Sequence, residues 1–300
     1  MSTKKLVVLV APTGGNAADR DGTHIPVTSR EIADEALRCY EAGASVIHIH
    51  ARDPETKQAS SDVRVFSGII ADVRATCDLL IQTTTGMGMN RNQVRPSEEE
   101  RLALLNVKPA QDLTTVALGT WDIWRPYGGH NKKDTTYHNT PDFLRRNIAA
   151  IVERGIPWEL EIADTGFLSN AMRLAEEGVF DKAASSFWLD YVIGFGGMPA
   201  TARHLVFAQE EGRRLFPQAK WAVVATGKDQ FPMATLAAAM GADIVRVGFE
   251  DNIYLPNGRP ARSNAELVEV MVRIAQTLGR EIATTEEARQ IFGIAKEADQ

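Results

Sequence analysis

Apolar runs of strand length alternate with amphipathic stretches from one end of the 300-residue chain to the other. The runs at 6–12, 45–51, 79–85, 112–118, 157–163, 187–194, 220–227 and 243–249 predict strands, because short continuous apolar segments suit a sheet covered on both faces. Between them, apolar positions recur at helical spacing near 28–42, 61–76, 97–106, 141–154, 167–178, 200–213 and 231–240, and again at 263–279. Thr28-Ser29-Arg30-Glu31 has the form of a capping box opening the first major helix, and Gly43, Gly155, Gly178, Gly241 and Gly279 stand where helices should stop. Eight β/α units, with no Pro/Ser-rich linker or low-complexity segment, predict an α/β fold, a closed parallel (β/α)8 TIM barrel. A doubly wound open sheet is the alternative, and the count of eight favours the barrel. One domain then spans 1–300, with a short helical extension at about 281–300.

Barrel sites lie at the C-terminal ends of the strands, so strand parity sorts the candidate residues. Side chains two apart on a strand point the same way. His48 and His50 therefore share a face, while Ile47, Ile49 and Ala51 turn to the helices. On the fifth strand Trp158, Leu160 and Ile162 make the apolar face and leave Glu159 and Glu161 inward. Arg246, Gly248 and Glu250 share parity on the eighth, with Glu250-Asp251 at its end. The third ends in Gln82-Thr83-Thr84-Thr85-Gly86, a polar rim on which Gln82 and Thr84 share a face.

Two histidines and one carboxylate form the ligand set of a catalytic zinc site with positions left open. Fe(II) or Mn(II) suits the same set. Glu250 is the first choice of carboxylate, because the second and eighth strands flank the first; Glu161 is the second. A hydrogen-bonded pair of core histidines, and a salt bridge for either carboxylate, are the structural alternatives. Arg246 could bind a substrate carboxylate bidentately or pair internally with Glu250 or Asp251. Asp251 is placed to act as general base.

Composition narrows the classes. With 44% hydrophobic and 24% charged residues the chain has a globular balance, and a net charge of −6 argues against a nucleic-acid partner. Cys39 and Cys77, each in a predicted helical segment, fit a reducing cytoplasm. The first apolar run ends at Pro12, too short for a membrane span and without a signal-cleavage pattern. Ala11-Pro-Thr-Gly14-Gly15 lacks both the P-loop lysine and the Rossmann spacing, so no nucleotide fingerprint is present.

Longer motifs carry a family resemblance. Pro26-Val27-Thr28, His48-Ile-His50-Ala-Arg-Asp-Pro54, Thr84-Thr85-Gly86 and Glu159-Leu-Glu161-Ile-Ala-Asp164-Thr-Gly166 come in order along the chain. Gly194-Phe-Gly-Gly197-Met-Pro199-Ala200, Gln230-Phe-Pro-Met233, Val245-Arg246-Val-Gly-Phe-Glu250-Asp251-Asn252 and Ser263-Asn264-Ala-Glu-Leu-Val268 follow. In these the chain resembles the β-keto acid cleavage enzymes, nearly end to end. The resemblance implies a TIM barrel with zinc held by His48, His50 and Glu250, and a retro-Claisen reaction with acetyl-CoA. A proton leaves the β-keto acid to Asp251, assisted by Arg246. The resulting enolate attacks acetyl-CoA, and coenzyme A passes to the former keto carbon. Acetoacetate and a new acyl-CoA result. Thr84 would hydrogen-bond the substrate oxygens, with Thr85, Gly86, Glu161 and Asn16 as further substrate contacts. A homo-oligomer, tetrameric or larger, is also implied.

The chain departs from the family in places. Thr13-Gly14-Gly15-Asn16 stands where some members carry a glutamate that meets a cationic substrate amine, although Asp19 lies close. Ala163 replaces a frequent phenylalanine, and the aromatic segment from Gly119 to His130 is unlike the usual pattern. That segment could line a different acyl pocket, cage a quaternary ammonium or pack on a neighbouring subunit. His130 and His138 are expected as loop residues, not ligands. A metal-dependent hydrolase, a lyase that needs no acetyl-CoA, or a non-catalytic barrel would use the same His-His-Glu set.

Overall fold

The strand-length runs close into a single cylinder. A computed structural model of the chain describes residues 4–15, 19, 21–86, 95–123 and 135–294. In chain order the strands are β1 (Val7–Val10), β2 (Val46–His48), β3 (Leu80–Thr84), β4 (Leu113–Ala117), β5 (Trp121–Ile123), β6 (Thr135–Tyr137), β7 (Trp158–Ile162), β8 (Phe187–Ile193), β9 (Lys220–Ala225) and β10 (Ile244–Val247). Parallel pairing runs β1-β10-β9-β8-β7-β4-β3-β2 and returns to β1. The eight predicted runs are those eight barrel strands, each trimmed at its ends. The antiparallel pair β5–β6 was not predicted; it rises from the loop after β4.

Helices α1 (Ser29–Glu41), α2 (Val63–Thr76), α3 (Glu98–Ala103), α4 (Pro141–Glu153), α5 (Thr165–Glu176), α6 (Ala202–Leu215), α7 (Gln230–Ala239) and α8 (Asn264–Thr277) alternate with the barrel strands. The capping box is present: Thr28 accepts from the Glu31 amide while the Glu31 carboxylate accepts from the Thr28 amide. None of the helices among the described residues is long and apolar enough to cross a membrane. Cys39 is buried in α1, Cys77 caps α2, and both are free thiols.

Inside the barrel, parity produces layers. Val7, Leu9, Val46, Leu80, Leu113, Trp188, Ala222 and Ile244 make an apolar layer toward the N-terminal ends of the strands. A last helix, α9 (Thr285–Phe292), sends Ala288 and Phe292 into that layer, with the Phe292 ring 4.8 Å from Trp188. Its position under the cylinder makes it the floor of the barrel. Two residues further along the same strands, apolar gives way to polar: Val46 to His48, Leu80 to Gln82, Leu113 to Thr115, Trp188 to Asp190 and Ile244 to Arg246. The change of layer sets the site at the C-terminal mouth.

Candidate metal centre and active site

His48 ends β2, and His50 lies just past it; both are buried. Glu250 reaches them from the turn after β10, and that turn is held by backbone constraints. The Glu250 amide donates to the Ala11 carbonyl at 3.1 Å, while Gly248 lies so close to Ala11 that a Cβ would sit 2.2 Å from its oxygen. Asn264, opening α8, accepts from the Phe249 amide at 2.8 Å. The Ser263–Val268 motif therefore clamps the turn that presents Glu250.

Glu250 Oε1 lies 3.2 Å from His50 Nε2, and Oε2 lies 3.8 Å from His48 Nε2. One donor atom from each residue falls within 4.8 Å of the others, a set that could hold a metal ion. The fit is chemical as well as geometric. Glu250 Oε2 is buried without a hydrogen-bond partner, which leaves an acceptor with nothing to accept from unless a cation sits there. Burial holds the His48 imidazole down at about 3, so it is neutral and has one unprotonated ring nitrogen to offer for coordination. Burial opposes ionisation of Glu250, but the Arg246 guanidinium, helped by a hydrogen bond from His50, outweighs it and holds the carboxyl well below its usual range.

Arg246 is turned onto its neighbours. Its Nε and Nη2 donate to the Asp251 carboxylate at 2.8 and 3.1 Å, and Nη2 also reaches Glu250 Oε1 at 2.8 Å. The internal ion pair that the sequence allowed is present, and it orients Asp251. Burial lifts Asp251 to about 6, with Arg246 pulling the other way. Glu161, on β7, is lifted to about 8 by burial and then by the Glu159 charge, and a hydrogen bond to Thr115 tempers the rise.

The Thr84 hydroxyl accepts from Thr115 at 3.0 Å and from the Gly86 amide at 2.7 Å. Gly86 has no room for a side chain: a Cβ would come within 2.4 Å of the Tyr137 hydroxyl. Thr85 points elsewhere. Its hydroxyl donates to the Thr115 carbonyl and accepts from Asn147 of α4, so the structure places it between strand and helix, apart from the histidines. Asn16, His130 and most of the aromatic segment lie outside the described residues. His138, just after β6, is exposed.

Several residues at the site carried no assignment from sequence. Tyr137 stands in the β5–β6 hairpin beside Gly86, its ring centroid 4.5 Å from that of Trp121, which belongs to the aromatic segment already singled out from sequence. Gln82, Asp190 and Trp188 lie beneath the histidines. Parity marked Gln82 as inward, but nothing local named its partners.

Fold and site together define a barrel with a divalent-cation centre at its mouth, flanked by an arginine-held carboxylate. The chain belongs to the β-keto acid cleavage enzyme family, whose model matches residues 5–294. It is 37% identical over 295 residues to the 3-keto-5-aminohexanoate cleavage enzyme of Fusobacterium nucleatum subsp. nucleatum, covering 98% of this chain and 99% of that protein. To the enzyme of the same description from Acetoanaerobium sticklandii it is 35% identical over 294 residues, or 98% and 100% of the two chains. Among solved structures, apo ObcA superposes with a TM-score of 0.74 at 20% identity, over 90% of this chain and 65% of that one. That likeness is one of fold.

Proposed function

We propose that this chain is a zinc-dependent acyltransferase that exchanges acyl groups between a β-keto acid and acetyl-CoA, releasing acetoacetate and a new acyl-CoA. The observation that carries the reading is the convergence of His48, His50 and Glu250 beside an Asp251 held by the Arg246 fork. Family membership supplies the reaction class. A divalent cation bound there would supply Lewis-acid polarisation of the substrate's keto and carboxylate oxygens, worth several kcal/mol.

The protein's own residues do the rest. Asp251 accepts a proton from the carbon between the two carbonyl groups, and Arg246 keeps that carboxylate aimed while balancing its charge. The deprotonated carbon attacks the acetyl carbonyl and expels the coenzyme A thiolate; that thiolate then adds to the former keto carbon, whose bond to the acylated carbon breaks, so that acetoacetate and the new acyl-CoA leave. Thr84 and Glu161 border the substrate, Gly86 gives the backbone its close approach, and Thr85 buttresses that rim through Asn147. Asn16 keeps its assignment as a substrate contact on the resemblance alone. We take the same protein to work in the cytoplasm as a homo-oligomer, a state that light scattering checks.

The test is product formation by the zinc-loaded protein with a panel of β-keto acids. Acetoacetate is expected only when acetyl-CoA is present. Asp251→Asn should lower kcat by about 10²-fold or more, the low end for a proton-transfer group, with metal content unchanged. Turnover that needs no acetyl-CoA would instead select the hydrolase or lyase reading.

A further inference from the structure

Beneath the histidines runs a line of buried polar groups that no catalytic step uses. His48 Nδ1 lies 2.8 Å from Gln82 Oε1, on the adjacent strand β3. The other end of that amide, Gln82 Nε2, donates to Glu159 Oε2 at 3.0 Å. The same oxygen accepts from Trp188 Nε1 at 3.1 Å, and Glu159 is hydrogen-bonded in turn to Asp190. All of these side chains are buried.

We propose that Glu159 and Gln82 are positioning residues for the metal centre, acting in series to fix the tautomer and ring orientation of His48. A glutamine amide can turn either way round. Glu159 Oε2 already accepts from the Trp188 N–H, which marks it as an acceptor oxygen, so the end of the amide facing it is the NH2 group. The carbonyl is thereby forced toward His48, and a carbonyl can pair only with an Nδ1 that carries the proton. Nε2 is left as a lone pair directed at Glu250 and the cation. The Trp188 N–H keeps Glu159 Oε2 in place. From His48 on β2 the relay reaches across β3, β7 and β8, so a ligand's tautomer is set by three strands that contribute no ligand of their own.

The proposal rests on the metal reading above, and its test separates the two. Zinc affinity of the purified full chain would be measured by competition with a chromogenic chelator. Gln82→Met keeps the bulk and removes both hydrogen bonds; Glu159→Met removes the group that orients the amide. Each should weaken zinc binding by about 10- to 100-fold, the usual effect of losing a hydrogen-bond partner of a ligand. Glu159→Gln should stay close to wild type, because one amide oxygen can still accept from both Gln82 and Trp188. Equal affinity in all four proteins would overturn the relay while leaving the metal site standing. A wild type that binds no zinc would overturn the metal reading and the relay with it. Should the Met variants not fold, 15N NMR of the wild-type His48 decides: a protonated Nδ1 supports the relay, and a protonated Nε2 in the metal-free protein overturns it.

Discussion

At the scale of single residues the site is built as much by what is missing as by what is present. Gly14 has a φ of +62°, and a Cβ there would lie 2.6 Å from Glu250 Cγ. The glycine thus sets how far Glu250 can lean toward β1. Gly14→Ala should displace the carboxylate and weaken zinc binding by about 10-fold or more, read by the same competition assay. The added backbone strain is only on the order of 1 kcal/mol, so the melting temperature should fall by a few degrees. The ligand residues were legible in sequence because pleat parity is local: His48 and His50 share a face whatever the rest of the chain does. Thr84 and Thr85 show the limit. They sit together in one motif, but the pleat sends one to the mouth and the other to Asn147. Gln82 was visible as an inward residue, yet its work depends on Glu159, 77 positions away. No local pattern encodes such a partner.

Among the elements, the barrel strands were readable because each is an apolar run bounded by turns. Their ends were not. The last residues of several runs leave the ladder to form the rim, so β2 stops at His48 while its apolar run continues to Ala51. The β5–β6 hairpin was illegible for a different reason. Two three-residue strands inside a stretch of glycine, tryptophan and polar residues carry too little periodicity to register. The hairpin nevertheless shapes the mouth. Trp121 packs on Tyr137 and on Phe167, 5.7 Å away, and its indole donates to the Phe195 carbonyl at 3.1 Å. Trp121→Ala should loosen the hairpin over β3 and β7, raising KM for the β-keto acid several-fold more than it lowers kcat. Steady-state kinetics would check the split; an unchanged KM would remove the hairpin from the binding surface.

For the molecule as a whole, the interior charge is the dominant feature. Glu159, Glu161, Asp190, Glu250 and Asp251 converge on Arg246. Glu161 faces Glu159 on its own strand, Arg246 and Glu250 from the β10 side, Asp190 from β8 and Tyr137 from the hairpin. Its carboxyl moves from 4.5 up to about 8 on folding. The folded state therefore binds more protons than the unfolded one between those values, and stability must fall as pH rises through that window. Metal-free protein should melt at a progressively lower temperature from pH 6.5 to pH 8, above the range in which the depressed His48 works the other way, followed by scanning calorimetry. Saturating zinc should restore stability, by about 2.7 kcal/mol at a hundred times its Kd. A metal-free protein that gains stability across the same window would contradict this account of the interior.

The floor helix has a consequence of order in time. Phe292 rests on Trp188, Trp188 steadies Glu159, and Glu159 aims the amide that holds His48. The first ligand of the metal centre is synthesised more than 230 residues before the last support beneath it. A nascent chain halted after β10 but short of α9 would have its ligands made but its barrel open below, with Trp188 in contact with water. Firm seating of the first ligand is thus deferred until α9 has packed beneath the barrel.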